Sequence, residues 1–174
     1  MNCPSCQSNL LKPTQLQPGL PALTCINCHG YSVNLLTYRH WIEQQPKIER
    51  TPTSTVTVDD SSKALICNKC SKIMHKYNIS IDHDNKVDLC TTCDEVWLDQ
   101  GEWQLLLELE LHDKLTDIIT TPWQSDMREQ EALKRYKEKH VELLGEEDFA
   151  RLEAFKTWLQ EHPKEFEIMN YLRN

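Results

Sequence analysis

Eight cysteines fall in four Cys-x-x-Cys pairs, Cys3/Cys6, Cys25/Cys28, Cys67/Cys70 and Cys90/Cys93, with none left over. Two thiolates at this spacing can bind one side of a tetrahedral cation from a single tight turn, and a second pair can close the other side. The gaps between the pairs are 18, 38 and 19 residues, so the first pair groups with the second and the third with the fourth. Each group then has the spacing of a four-thiolate zinc site. The expectation is two zinc ions per chain, one on Cys3, Cys6, Cys25 and Cys28, the other on Cys67, Cys70, Cys90 and Cys93. Thioredoxin-like redox chemistry would need a strand–helix–strand unit around a single pair, which four regularly spaced pairs do not suggest. Structural disulfides are a weaker reading, and iron stays open because four thiolates hold either metal.

Those ligands must be presented by turns joined through hairpins. Tyr77, Ile79 and Ile81 alternate with polar residues, as do Val87 and Leu89 after Asp82-His83-Asp84-Asn85-Lys86, so the second group reads as a β-hairpin. The Asp-His-Asp run at its tip reads as turn chemistry rather than an acid–base or metal site. In the first group Pro13, Pro18, Gly19 and Pro21 are expected to break the hairpin. Helices should follow each group. Leu35, Tyr38, Arg39 and Ile42 have helical spacing, with Ser32 as cap and Pro46 as stop. After Cys93, Asp99 and Glu102 fit a capping box ahead of the stripe Trp103, Leu106, Leu107 and Leu111. Corresponding cysteines of the two groups are 64 and 65 residues apart, so the chain reads as ribbon–helix, ribbon–helix.

The run Cys67-x-x-Cys70 … Cys90-x-x-Cys93-x-x-x-Trp97-Leu98-Asp99-x-Gly101-Glu102 resembles the transcription-factor-IIB-type zinc ribbons found as small stand-alone modules in bacterial proteins. Glu95 stands where that family usually has a knuckle glycine. The first group keeps its cysteines and Gly30 but lacks the Trp-Leu-Asp-x-Gly-Glu run, so it is a degenerate match. The resemblance covers residues 3–42 and 67–107 and implies zinc binding in a ribbon fold. The core repeats of the basal transcription factor have no counterpart here.

The fold class expected is small α+β: two zinc ribbons, each followed by a helix, and then an all-α C-terminal region. The organisation reads as 1–45 for the first ribbon and helix, 46–63 for a Pro-, Ser- and Thr-rich linker in which 55–58 could add a strand, 64–120 for the second ribbon and helix, and 121–174 for an acidic helical region. One helix is expected from Gly101 to Thr120, ending at Thr121-Pro122, with others over 125–144, 146–162 and from Pro163. Gly145 suits the end of the second of these. Trp123, Phe155, Trp158 and Phe166 are expected to form the core of the tail, and His112, His140 and His162 to lie on its surface or in its packing.

Composition narrows the function classes. The 174 residues carry a formal charge of −8 and are 39% hydrophobic, somewhat low for a single large core. No run is long enough to span a membrane, and the N-terminus lacks an export signal, so a cytoplasmic protein is expected. Residues 1–94 carry 9 basic and 8 acidic groups, residues 95–174 carry 10 and 19. Each zinc on four thiolates adds about −2. General nucleic-acid binding is therefore disfavoured, the patch at Lys63, Lys69, Lys72 and Lys76 being the exception that keeps a transcription- or RNA-associated ribbon as the alternative. A four-cysteine zinc site has no open position for activating water. No Ser/His/Asp order, P-loop or His-Glu-x-x-His is present, and Asp99 with Glu102 reads as a helix start rather than a paired-carboxylate site. An enzyme seated in the helical half has only scattered Glu and His to rest on. The expectation is a non-enzymatic module that binds a protein partner, self-association through the helices being one form of it.

Overall fold

Pro18 and Gly19 close the first hairpin instead of breaking it. In a computed structural model that describes residues 2–8, 11–44 and 63–173, β1 (Leu11–Gln17) pairs antiparallel with β2 (Leu20–Cys25). Gly19 has φ +80°, which suits a Pro-Gly type II turn. Pro13 lies on β1, an edge strand, where a missing N–H costs little. Pro21 precedes Leu23 and Thr24, the residues at which β2 also pairs with the next strand. The prolines are thus placed where the ladder tolerates them. The linker read over 46–63, with its 55–58 strand and the Pro46 stop, lies outside the described residues except for Lys63.

The helix expected from Ser32 begins later. Tyr31–Asn34 form strand β3, and α1 runs Leu35–Gln44. Asn34 rather than Ser32 caps it, its Oδ1 accepting from the amides of Leu36 at 3.0 Å and Thr37 at 3.4 Å. Leu35, Tyr38 and Trp41 form its buried face, while Arg39 is exposed.

The second ribbon supplies β4 (His75–Asn78), β5 (Lys86–Cys90) and β6 (Glu95–Leu98). β3 pairs with β6 through Tyr31↔Leu98, Ser32↔Trp97, Val33↔Val96 and Asn34↔Glu95. The two ribbons, read from the sequence as separate segments, therefore share one six-stranded antiparallel sheet of order β1-β2-β3-β6-β5-β4. The order mirrors about the β3–β6 seam. The molecule is small α+β, with six strands and six helices in its described residues.

Side-chain alternation divides the sheet between two packing tasks. Val33, Val96 and Leu98 join a core with Tyr38, Trp41 and Trp103. Trp97, between Val96 and Leu98, belongs instead to a second cluster with the buried cysteines, Leu65 and Met74.

One helix was expected over 101–120; two short ones are found, α2 (Glu102–Glu108) and α3 (Leu115–Ile118). Glu110, at φ +59°, turns the chain between them. The break lets Tyr38 accept from the Leu115 amide at 3.2 Å while its hydroxyl donates to the His112 carbonyl at 2.6 Å. Those bonds tie α1 to the turn. Pro122 does not end a helix. It sits in the first turn of α4 (Thr121–Leu144), a favourable position because its missing N–H would have no partner there. Gln124, one turn into α4, covers the sheet edge: the Asn78 amide donates to its Oε1 at 3.0 Å and its Nε2 donates to the Asn78 carbonyl at 2.9 Å. A side-chain amide thereby makes the two bonds that an added strand would make.

The chain divides into two units, Met1–Arg128 and Glu129–Asn174. The second comprises the rest of α4 with α5 (Glu146–Gln160) and α6 (Glu165–Leu172), Gly145 standing between α4 and α5. Its expected aromatic core is absent. Trp158 is 49% and Phe166 74% exposed, and Phe155 stacks on Trp158 at the surface, with ring centroids 5.6 Å apart. Leu159 is the buried side chain of α5, whose apolar residues spread around the helix instead of gathering on one face. Trp123 belongs to the first unit, packed against the main core. No described helix is long and apolar enough to cross a membrane.

Candidate metal centres

Each Cys-x-x-Cys pair sits in a turn of the same construction. The residue after the second cysteine is left-handed in all four: Gln7 at φ 61°, His29 at 56°, Ser71 at 59° and Asp94 at 52°. In the first three, this residue's amide bonds the carbonyl of the first cysteine, at 3.0 Å for Gln7, 2.9 Å for His29 and 3.0 Å for Ser71. In those turns the first cysteine's amide also donates to the carbonyl two residues past the second cysteine. None of the four left-handed residues is glycine, so each turn holds a conformation costing roughly 1 kcal/mol against a local preference. Such turns aim both sulfurs to the same side.

The four turns meet in two groups. Cys3, Cys6, Cys25 and Cys28 place their sulfurs within 4.8 Å of one another, and so do Cys67, Cys70, Cys90 and Cys93. Cys3 and Cys28 bring their sulfurs to 3.5 Å, Cys6 and Cys25 to 3.6 Å, and Cys70 and Cys90 to 3.5 Å. A tetrahedral ion with metal–sulfur bonds of about 2.3 Å has sulfur–sulfur edges of about 3.8 Å. Both groups have that size, and in each the first cysteine of a pair is buried and the second half-buried. The grouping is the one expected from the spacing, and the donor set fits a closed four-thiolate metal site.

Protonation within each group is uneven. The Ser8 hydroxyl, 3.0 Å from Cys6 Sγ, holds that thiol down at about 6, against a usual 9.0, while burial pushes Cys28 up to about 11 and raises Cys3 as well. In the second group the Lys72 amide brings Cys70 down to about 7, and hydrogen bonding to Cys70 pushes Cys93 up to about 12. Four sulfurs so close cannot all be anionic without a cation among them.

The remaining candidates take structural roles. Asp82, His83 and Asp84 are exposed on the loop between β4 and β5, where the Ser80 hydroxyl meets His83 Nδ1 at 2.9 Å. Among the described residues, the side chains grouped closely enough to share a metal are the two cysteine groups. Asp99 was expected to cap α2 with its side chain; the residue directly ahead of that helix is Gly101, left-handed at φ 87° and without a side chain to cap with. Asp99 Oδ1 accepts from the Trp97 indole at 2.8 Å. The return half of the expected box is present, the Asp99 amide donating to Glu102 Oε2 at 2.8 Å. The indole comes first because Trp97 is fully buried and its N–H needs a partner.

Trp97 comes four residues after Cys93, the last thiol of its own ribbon. Its ring lies in the cysteine cluster, and it also closes on Gly30 of the first ribbon, where a Cβ would stand 2.3 Å from Cζ2. Residues missed from the sequence lie along the same seam. Glu95 is buried, accepts from Ser32 Oγ at 2.8 Å and pairs with Lys69 Nζ at 2.5 Å. Asn34 Nδ2 donates to the Cys93 carbonyl at 3.2 Å. The available signal was positional: Gly30 and Glu95 each stand two residues past their second cysteine.

No family model matches the chain, and comparison with curated proteins and with solved structures finds no match either.

Proposed function

We propose that the chain is a zinc-ribbon protein, related to the transcription-factor-IIB-type ribbons, that binds two structural zinc ions and works without catalysis as a cytoplasmic protein-interaction or adaptor module. The observation that carries the metal reading is the pair of cysteine groups, each with its sulfurs within 4.8 Å. Zinc bound by four thiolates supplies roughly 10–16 kcal/mol in small modules. That is ample to hold four left-handed turns that local preference opposes. With all four positions filled by sulfur, the ion would organise structure and leave no site for substrate.

The adaptor reading is supported by the apolar side chains exposed in the second unit, among them Trp158, Phe166 and Tyr171. The nucleic-acid alternative has weaker support, because Lys69 is paired with Glu95 and Lys76 with Asp88. Metal analysis of the purified full chain tests the first part: two zinc per chain are expected, and one equivalent, or predominantly iron, would overturn it. Binding to a panel of single- and double-stranded nucleic acids at about 0.15 M salt tests the second. No measurable affinity is expected, and tight salt-dependent binding would favour the alternative.

A further inference from the structure

The two cysteine groups are built into each other's support. Ser32 and Asn34, on the strand that follows the first ribbon's last ligand pair, reach Glu95 and the carbonyl of Cys93 in the second. The Leu35 amide donates to the Asp94 carbonyl at 2.8 Å, fastening the left-handed residue of the fourth turn to the start of α1. Glu95 passes the restraint on to Lys69, which lies between Cys67 and Cys70 in the third turn. In the other direction, Trp97 closes on Gly30, two residues past Cys28, with its indole held by Asp99. Cys3, Cys25, Cys67 and Cys90 share one buried cluster with that ring.

We infer that the two metal sites bind cooperatively: filling one tetrad orders the β3–β6 seam and so tightens the other. The inference rests on the two-zinc reading and adds a coupling that two independent ribbons would lack. Ordering a turn has an entropic cost, which the first ion bears for both sites because the seam restrains turns on either side of it. The coupling must be reciprocal, and its usual range corresponds to about five- to 150-fold tighter binding of the second ion.

Native mass spectrometry of the metal-free full chain titrated with Zn²⁺ reads this directly, because it counts chains with no, one and two ions. At half-loading, independent sites of equal affinity leave about half the chains with one ion, and independent unequal sites leave more; fivefold coupling of equal sites reduces the half to about a third. A third or less is expected. About half or more that stays unchanged in Ser32→Ala, with two ions bound at saturation, would overturn the coupling and leave the zinc reading standing. Saturation below two ions would overturn both. Ser32→Ala removes a bond across the seam without touching a ligand, and Gly30→Ala pushes against Trp97. In both the one-ion fraction should rise toward half while saturation stays at two. If Gly30→Ala does not fold, Ser32→Ala decides, and an unchanged one-ion fraction there would remove the seam as the route.

Discussion

Trp97 and Gly30 meet across the seam between the two ribbons: a methyl group on Gly30 would stand 2.3 Å from Cζ2 and 2.9 Å from Cε2 of the indole. Gly30 is not in a left-handed conformation, so what its position demands is space. The ring cannot withdraw easily, since Asp99 holds its nitrogen and the cysteine cluster surrounds it.

Gly30→Ala should therefore cost about 1–3 kcal/mol through overpacking. Gly145, at φ +80° with nothing within 4 Å of an added Cβ, provides a contrast in which the penalty is conformational alone. Chemical denaturation of Gly30→Ala with and without Trp97→Phe should show strong non-additivity, because the smaller ring leaves room for the methyl. Additive losses would show that the contact is not the cause.

Asp99→Asn should be mild, since the amide oxygen can still accept from the Trp97 indole. Asp99→Ala should cost about 1–3 kcal/mol by leaving that buried N–H without its acceptor. Thermal melts rank the variants. Equal losses in the two would contradict the indole bond.

Gln124→Ala should expose the Asn78 amide and carbonyl at the edge of β4. Hydrogen exchange at Asn78 should accelerate, and the variant should self-associate more readily at high concentration. Unchanged exchange would show that the edge is protected by something other than the Gln124 side chain.

Cys90→Ser should lose metal from the second tetrad, while His83→Ala should keep both ions, because His83 belongs to a turn. Metal analysis with circular dichroism before and after chelation checks both. Equal metal loss in the two variants would assign His83 to a site.

Burial raises the Tyr38 phenol above its usual 10.0, the two states being neutral below that pH. A raised folded value means that stability is fully present below pH 10.0 and declines as pH rises toward the folded value, since only the unfolded phenol ionises readily in that window. Tyr38→Phe should cost about 1–3 kcal/mol at neutral pH through its bonds to His112 and Leu115, and should flatten the alkaline decline. An equally steep decline in the variant would place its source elsewhere.

The metal-ligand grouping was legible in the sequence because it follows from local chemistry. Two cysteines in one turn are neighbours whatever else the chain does, and the gap lengths matched each turn to one partner. The small α+β class and the helical tail were legible for the same kind of reason, through short-range spacing. The sheet could not be read in that way. Ser32 looks like a cap until β6 pairs with β3 and turns its hydroxyl toward Glu95, leaving Asn34 to cap α1. Asp99 looks like a helix cap and nothing more until Trp97 is buried and its indole takes one carboxylate oxygen. The stripe beyond Gly101 looks like one helix until Tyr38, 74 residues before His112, claims the backbone of the turn. Each reversal sets a modest local preference against a buried polar group that must find a partner, and an unmet buried bond costs more than a lost cap. Local spacing determined which cysteines belong together; long-range burial decided that the two ribbons share one sheet.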